Sequence, residues 1–298
     1  MMNILVTGGS GFIGSHIVDQ LVKQGHDVRV FDKRKPFRED VEWFRGNLLN
    51  ENDVLEACKD IEFIYHLAAV ADVNIAISNP ALCLQVNEIG TLNLLNAATA
   101  MEVERVILAS TTWVYGKTEG VVNEDSPIPP PDHIYTKTKI GQEHLVIAWY
   151  KHAALPYTIL RYGIPYGPRM RTNMAIPIFV RKAIRKEPIT IFGDGNQGRC
   201  FIYVEDLAEG NIAALKKTAE NQIINLAGAE FVTLNDIVEI LRASFSELKV
   251  EYAPARPHDF KGAKISIEKA RRLLKWEPKT TFKEGLMKFI TYIQSQKT

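Results

Sequence analysis

Cysteine is scarce in this chain of 298 residues, with Cys58, Cys83 and Cys200 its three thiols. Their wide spacing and odd number argue against a disulfide framework and offer no metal-ligand pattern, so a reducing cytoplasm is the expected setting and no metal is expected. An excess of charge of one sign is lacking as well. The 36 basic and 35 acidic residues leave a formal net charge of +1, and the basic residues are dispersed. That gives no electrostatic footprint for nucleic acid or a membrane surface. No apolar run approaches the roughly 20 residues of a membrane span. The chain begins strand-like at Asn3 to Thr7 without a charged leader, so neither a signal peptide nor a span is expected. Internal repeats and low-complexity segments are missing too. What remains is 46% hydrophobic and 24% charged, enough to bury a large core as one large or two modest domains.

The first half alternates short β-branched runs with longer amphipathic segments, the pattern of a parallel sheet covered by helices. Strands are expected at Asn3 to Thr7, Asp27 to Asp32, Phe63 to Leu67, Arg105 to Ser110 and Thr158 to Tyr162. Helices fill the gaps. One runs from Phe12 to about Gln24 with Gly25 as its cap, and one follows Pro80 with Leu82, Val86, Ile89, Leu92 and Leu95 at helical spacing. A third carries Tyr135 and continues through Ile140, His144, Ile147 and Ala148. From Gly163 onward prolines and glycines accumulate, consistent with a loop-rich region beside a cleft. Helical patterns return at Val204 to Lys217, Leu234 to Ser246 and Glu268 to Leu274.

Between the first strand and the first helix lies Thr7-Gly8-Gly9-Ser10-Gly11-Phe12-Ile13-Gly14. A glycine-rich turn in that position brings backbone N–H groups to a pyrophosphate; Gly8 and Gly11 permit close approach and Gly14 allows tight packing of helix on strand. Asp32 ends the second strand, where a carboxylate accepts hydrogen bonds from the adenosine ribose and repels a 2′-phosphate. NAD is therefore favoured over NADP, although the neighbouring Lys33 and Arg34 could pair with such a phosphate. In Tyr135-Thr136-Lys137-Thr138-Lys139, a tyrosine and a lysine four residues apart share one helix face. A fixed ammonium beside a phenol favours the phenolate, which could take a proton from a sugar hydroxyl. Alone this spacing is common by chance.

Together with His66-Leu67-Ala68-Ala69, Arg161-Tyr162 and Tyr166-Gly167-Pro168 in this order, these motifs resemble the extended short-chain dehydrogenase/reductase family over essentially the whole chain. The chain looks most like the nucleotide-sugar epimerase and dehydratase branch. Pro188 to Gly195, Arg199 and Arg256-Pro257-His258-Asp259 match that branch's C-terminal signature. The resemblance implies an α/β fold, a Rossmann-type doubly wound parallel sheet with a smaller α/β substrate-binding C-terminal domain. The NAD-binding domain would span residues 1–163, with the chain returning to it around 201–226; the nucleotide-sugar region, within 164–298, would lie mainly in 164–200 and 227–298. Asn47 and Leu48 would lie near the adenine, and Leu67, Ala68 and Ala69 near the cofactor's ribose and phosphates. Asn87, Ser110 and Tyr162 would join Gly8, Gly11, Phe12, Ile13, Gly14, Asp32 and Lys33 on the cofactor side. Thr190 and Phe192 would hold the base, Arg199 and Arg256 the diphosphate, and Asp259 the nucleoside ribose. A homodimer through the helices after Pro80 and Tyr135 is implied as well. Asn47, Ile164 and Cys200 depart from the pattern, where Asp, Asn and Asp are usual.

The family register on Val114-Tyr115-Gly116 makes Thr111 the hydroxyl that orients the sugar with Tyr135, and Trp113 a further substrate contact. Dehydratases of this branch resemble one another in carrying Thr-Asp-Glu here, and its decarboxylases keep a glutamate third. This chain has Thr112 and Trp113, neither an acid of suitable strength. The expected reaction is C4 epimerisation of a nucleoside-diphosphate hexose, UDP-glucose/UDP-galactose or the N-acetyl forms, through a transient 4-keto sugar, with Thr111, Tyr135 and Lys139 catalytic and Lys139 lowering the tyrosine pKa. Ala263, where epimerases restricted to smaller hexoses often carry tyrosine, would leave room for the N-acetyl group. A dehydratase or 4-keto reductase of the same branch, and a non-catalytic NAD-binding regulator, are the alternatives.

Overall fold

A computed structural model describes residues 1–255 and 261–296. Seven strands form one parallel sheet: β1 (Asn3–Thr7), β2 (Asp27–Phe31), β3 (Glu42–Phe44), β4 (Phe63–His66), β5 (Arg105–Thr111), β6 (Tyr157–Tyr162) and β7 (Gln222–Leu226). Their spatial order is β7-β6-β5-β4-β1-β2-β3. After β3 the chain returns to the other side of β1, so the strand order reverses between β1 and β4. Such a switch point leaves a crevice at the carboxyl ends of the strands. Thr7 and His66, register partners at those ends, flank it. Strands buried on both faces read as continuous apolar runs, and Ile4, Leu5 and Val6 are all fully buried.

The first helix is Phe12–Lys23, and Gly25, at φ +80°, turns the chain beyond it. The helical run after Pro80 is not uniform. It passes from Pro80–Leu84 through a π-helical turn at Gln85–Ile89 into Gly90–Ala100. That extra residue rotates the faces, so Cys83, Asn87, Thr91 and Leu94 are buried while Ile89 is half exposed. The long helix Ile134–Ala153 divides its faces in another way. His144 and Ala148 face solvent, and the buried face carries Thr138, Lys139, Gln142 and Glu143.

A second core gathers Phe179 of helix Ala175–Ile184, Leu241 of helix Leu234–Ser244, and Leu286 and Phe289 of helix Phe282–Ser295 around Ile189 and Ile191. Strand Ile189–Phe192 pairs in parallel with Val250–Ala253. β7 returns the chain to the edge of the main sheet beside β6. Among the described residues no helix is long and apolar enough to cross a membrane, and all three cysteines are buried thiols.

Candidate active site

Leaving β1, the chain enters a turn that only glycine fits. Gly8 takes φ +73°, and a Cβ on it would lie 2.8 Å from the Ala68 nitrogen. A Cβ on Gly14 would sit 2.3 Å from the Gly8 carbonyl oxygen. Gly11, whose N–H donates to Gly8 O at 3.0 Å, precedes the first helix, and no side chain caps that helix. The first-turn N–H groups, those of Phe12 and Ile13 among them, thus have the arrangement that receives a pyrophosphate. Asp32 lies just past β2, where Oδ2 accepts the Ser10 N–H at 3.1 Å and Oδ1 the Arg34 N–H at 3.0 Å. The carboxylate is therefore fixed where a ribose would meet it. Lys33 is exposed, and Arg34 donates to the Ser10 carbonyl at 3.3 Å. A cradle that a Cβ would fill, followed by a fixed carboxylate, fits NAD.

The walls of this cradle are held from behind. Asn47 bonds within its own loop, Oδ1 accepting the Leu49 N–H at 3.3 Å, and the buried Leu48 offers its carbonyl to Asn93 at 3.0 Å. The Ala68 N–H donates to Thr7 Oγ1 at 3.2 Å, beside His66 Nδ1 at 2.8 Å. His66 Nε2 meets Thr91 Oγ1 at 2.9 Å, and that hydroxyl donates to the Asn87 carbonyl at 2.5 Å. Thr91 can then only accept from His66, which assigns the proton to Nε2 and leaves Nδ1 to accept from Thr7. Burial pushes this histidine down to about 3, so it is neutral. Asn87, fully buried, accepts the Val70 N–H at 2.7 Å and donates to Thr138 Oγ1 at 2.9 Å. It braces the segment after Ala69 against the helix of Tyr135; Leu67, Ala68 and Ala69 remain partly open on the cradle side.

Tyr135 and Lys139 stand one turn apart on the long helix. Their electrostatics correct the sequence expectation. Burial pushes Tyr135 up to about 12, partly offset by the positive charge of Arg171, and burial pushes Lys139 down to about 8. Lys139 Nζ donates to the Ala109 carbonyl at 2.8 Å. Two desolvated groups each favour their neutral forms, so the lysine alone does not hold the phenolate. Thr111 ends β5, and its Oγ1 accepts the Trp113 N–H at 3.2 Å, leaving its own proton to donate. Ser110 and Tyr162 are turned elsewhere: Ser110 donates to Glu143 at 2.5 Å, and the buried Tyr162 hydroxyl donates to Asn211 at 2.5 Å. The side chains of both are engaged in the interior, so what they offer toward the cradle is backbone. Sequence reasoning missed His133. It caps the long helix through Thr136 N–H, and its ring stacks on Tyr135 at 6.2 Å, with Trp113 edge-on to both. The residue two before a helical Tyr-x-x-x-Lys was a findable cap position; Arg171 left no local signal.

Beside this trio opens a cavity of about 640 Å³, walled by Ile77, Trp113, His133, Ile164, Cys200 and Ala263, with Arg199 at its lining. Ile189 and Ile191 face the core, so Thr190 and Phe192 share the opposite face of their strand. Arg199 donates to the Gly198 and Lys261 carbonyls at 2.6 and 3.4 Å. Arg256 and Asp259 lie outside the described residues.

A Rossmann-type sheet whose switch point opens onto a tyrosine and a lysine is the architecture of an extended short-chain dehydrogenase/reductase, and that is the class of this protein. The profile of the NAD dependent epimerase/dehydratase family matches residues 4–227, and the chain belongs to that family. It is 34% identical to the UDP-glucuronate 4-epimerase of Thermodesulfobacterium geofontis, over 97% of this chain and 95% of that one. It is 30% identical to the UDP-N-acetyl-alpha-D-glucosaminuronate decarboxylase of Bacillus cytotoxicus, over 97% of each. The crystal structure of the Thermotoga maritima UDP-glucose 4-epimerase with UDP-glucose superposes with a TM-score of 0.93 at 32% identity, each chain covered in full. NAD is the cofactor of the family.

Proposed function

We propose that the protein inverts C4 of a UDP-hexose with NAD, through a transient 4-keto sugar. The observation that carries this reading is the Thr111-Thr112-Trp113 sequence at the end of β5: the position beside Tyr135 where the family's decarboxylases keep a glutamate holds an indole. Without an acid there, proton and hydride transfer at one carbon is the chemistry left to Tyr135. Gly8, Gly11, Gly14, Asp32 and Lys139 would hold NAD, which when bound would accept the C4 hydride and give it back, and would add positive charge to the site. With that positive charge in place Tyr135 takes the C4 hydroxyl proton and Thr111 orients that hydroxyl, while Lys139, on the same helix face as Tyr135, is held at the Ala109 carbonyl. Once the ketone has turned in the cavity so that its other face would receive the hydride back at C4, Tyr135 returns the proton to the C4 oxygen. Thr190 and Phe192 serve the base, Arg199 and Arg256 the diphosphate, and Asp259 the nucleoside ribose.

The NAD-binding unit of this reading is residues 1–163 with the return at about 201–226, and 164–200 with 227–298 form mainly the sugar-nucleotide unit. Half-exposed Ile89 and Tyr150 on the helices after Pro80 and Tyr135 support a homodimer. The test is incubation of purified protein, without added reductant, with a panel of UDP-sugars, reading C4 stereochemistry by NMR. Turnover to the C4 epimer with no net change in NAD is expected; release of carbon dioxide or water, or stoichiometric cofactor consumption, would overturn it.

A further inference from the structure

The cavity beside Tyr135 is apolar and aromatic over most of its wall; Arg199, which the proposed function gives to the diphosphate, and Lys117 lie at its lining, and Lys117 and nearby Arg171 are each paired with a carboxylate. Lys117, at the lining, lies 3.6 Å from Asp132. Arg171, reaching over from the loop before helix Ala175–Ile184, places Nη1 3.1 Å from Asp72 Oδ2 and Nη2 3.4 Å from the Ala71 carbonyl. Asp72 is less exposed than its partner and is itself held, since Oδ1 accepts the Asn74 N–H at 2.9 Å as the cap of helix Val73–Ser78. Val73 and Ile77 of that helix form part of the cavity wall, so the Arg171–Asp72 pair stands at the cavity edge. The positive charge of Arg171 is felt at Tyr135.

Resting on the nucleotide-sugar reading, we propose that Asp72 is a specificity-determining residue: by engaging the Arg171 guanidinium, it makes the site select neutral hexoses over hexoses that carry a carboxylate. A carboxylate entering this cavity would leave water for an apolar wall and meet a guanidinium already occupied, with the Asp72 carboxylate beside it. A neutral hydroxymethyl or N-acetyl group meets no such cost. Discrimination here is thus achieved against the wrong sugar as much as for the right one.

The test compares UDP-glucose and UDP-glucuronate, by calorimetric affinity and by initial rate, in the NAD-loaded protein. The wild type is expected to bind UDP-glucuronate about tenfold more weakly than UDP-glucose, and Asp72→Asn to narrow that gap to about twofold. Asparagine keeps the helix cap, so thermal unfolding of this variant should be unchanged. In Asp72→Asn with Arg171→Gln the discrimination should return. Equal affinities in the wild type, an unchanged gap in Asp72→Asn, or a narrowed gap that survives in the double variant would each overturn the proposal. Binding in the expected order without epimerisation would sustain it while sinking the proposed reaction.

Discussion

Arg161 grips both carboxylate oxygens of Glu143 in the interior, Nε to Oε1 at 3.0 Å and Nη2 to Oε2 at 2.7 Å. The Ser110 hydroxyl shares Oε1, and Arg161 Nη1 donates to the Tyr115 hydroxyl at 3.1 Å, which donates onward to Asn225 at 2.7 Å. One ion pair thereby joins β5, β6, β7 and the long helix directly behind Thr111 and one turn beyond Lys139. Removing one partner strands the other charge in the core. Glu143→Ala is expected to lose about 3–5 kcal/mol of stability in urea unfolding. A loss below about 1 kcal/mol would mean that water reaches Arg161.

In the proposed reaction Tyr135 is the acid–base group that serves the C4 hydroxyl. Tyr135→Phe should lower turnover about 10²–10⁴-fold. NAD content, measured on the purified protein, should stay unchanged, because the cradle lies on β1 and β2. Full activity in this variant would remove the tyrosine from the mechanism.

Gly8 tests the cradle itself. Alanine there must adopt φ +73° and place its Cβ 2.8 Å from the Ala68 nitrogen, both backbone constraints that no rotamer relieves. Gly8→Ala is expected to weaken NAD binding by about tenfold or more, at a cost of about 1–3 kcal/mol in stability. Fluorescence titration with NAD measures the first and urea unfolding the second.

The cofactor half of this fold was legible because its signals are local. Gly8, Gly14 and Asp32 sit at the junctions of apolar runs, and β1 follows Asn3 to Thr7 as periodicity predicts. What stayed hidden depended on distance in the sequence or on pattern loss. The helix Phe282–Ser295 was passed over although Thr281 and Glu284 form a capping box that announces it. β3 has three residues and no alternation to read. The π-helical turn at Gln85–Ile89 shifts the buried face from the one regular spacing gives. Arg171 meets Asp72, and His133 meets Trp113, only after the chain folds.

His66 makes the chain pH-sensitive below neutrality. Its folded pKa, about 3, lies below the ordinary imidazole value, so between those limits the unfolded chain binds a proton that the native protein refuses. Stability contributed by the neutral imidazole is present above about pH 6.5 and is lost as pH falls toward the folded value. One proton corresponds to about 1.4 kcal/mol per pH unit. From pH 6 to pH 5 the wild type should therefore lose about 1 kcal/mol more than His66→Gln, a difference that cancels the other titrating groups. Parallel stability profiles for the two proteins would show that His66 is protonated in the native state.

Ala263 is expected to set how large a sugar the proposed reaction admits. It lies on the wall of the cavity that also holds Trp113, so the space between them is set by one methyl group on one side and an indole on the other. A tyrosine at this position would project a phenol into that space. Ala263→Tyr is expected to lower kcat/KM for UDP-N-acetylglucosamine by about tenfold or more while leaving UDP-glucose within about threefold, the scale a steric block of one acyl group produces. The split should appear chiefly in KM, because the phenol excludes ground state and transition state alike. Equal losses for both sugars would place the acyl group elsewhere and return Trp113 to the role of a simple ceiling on the site.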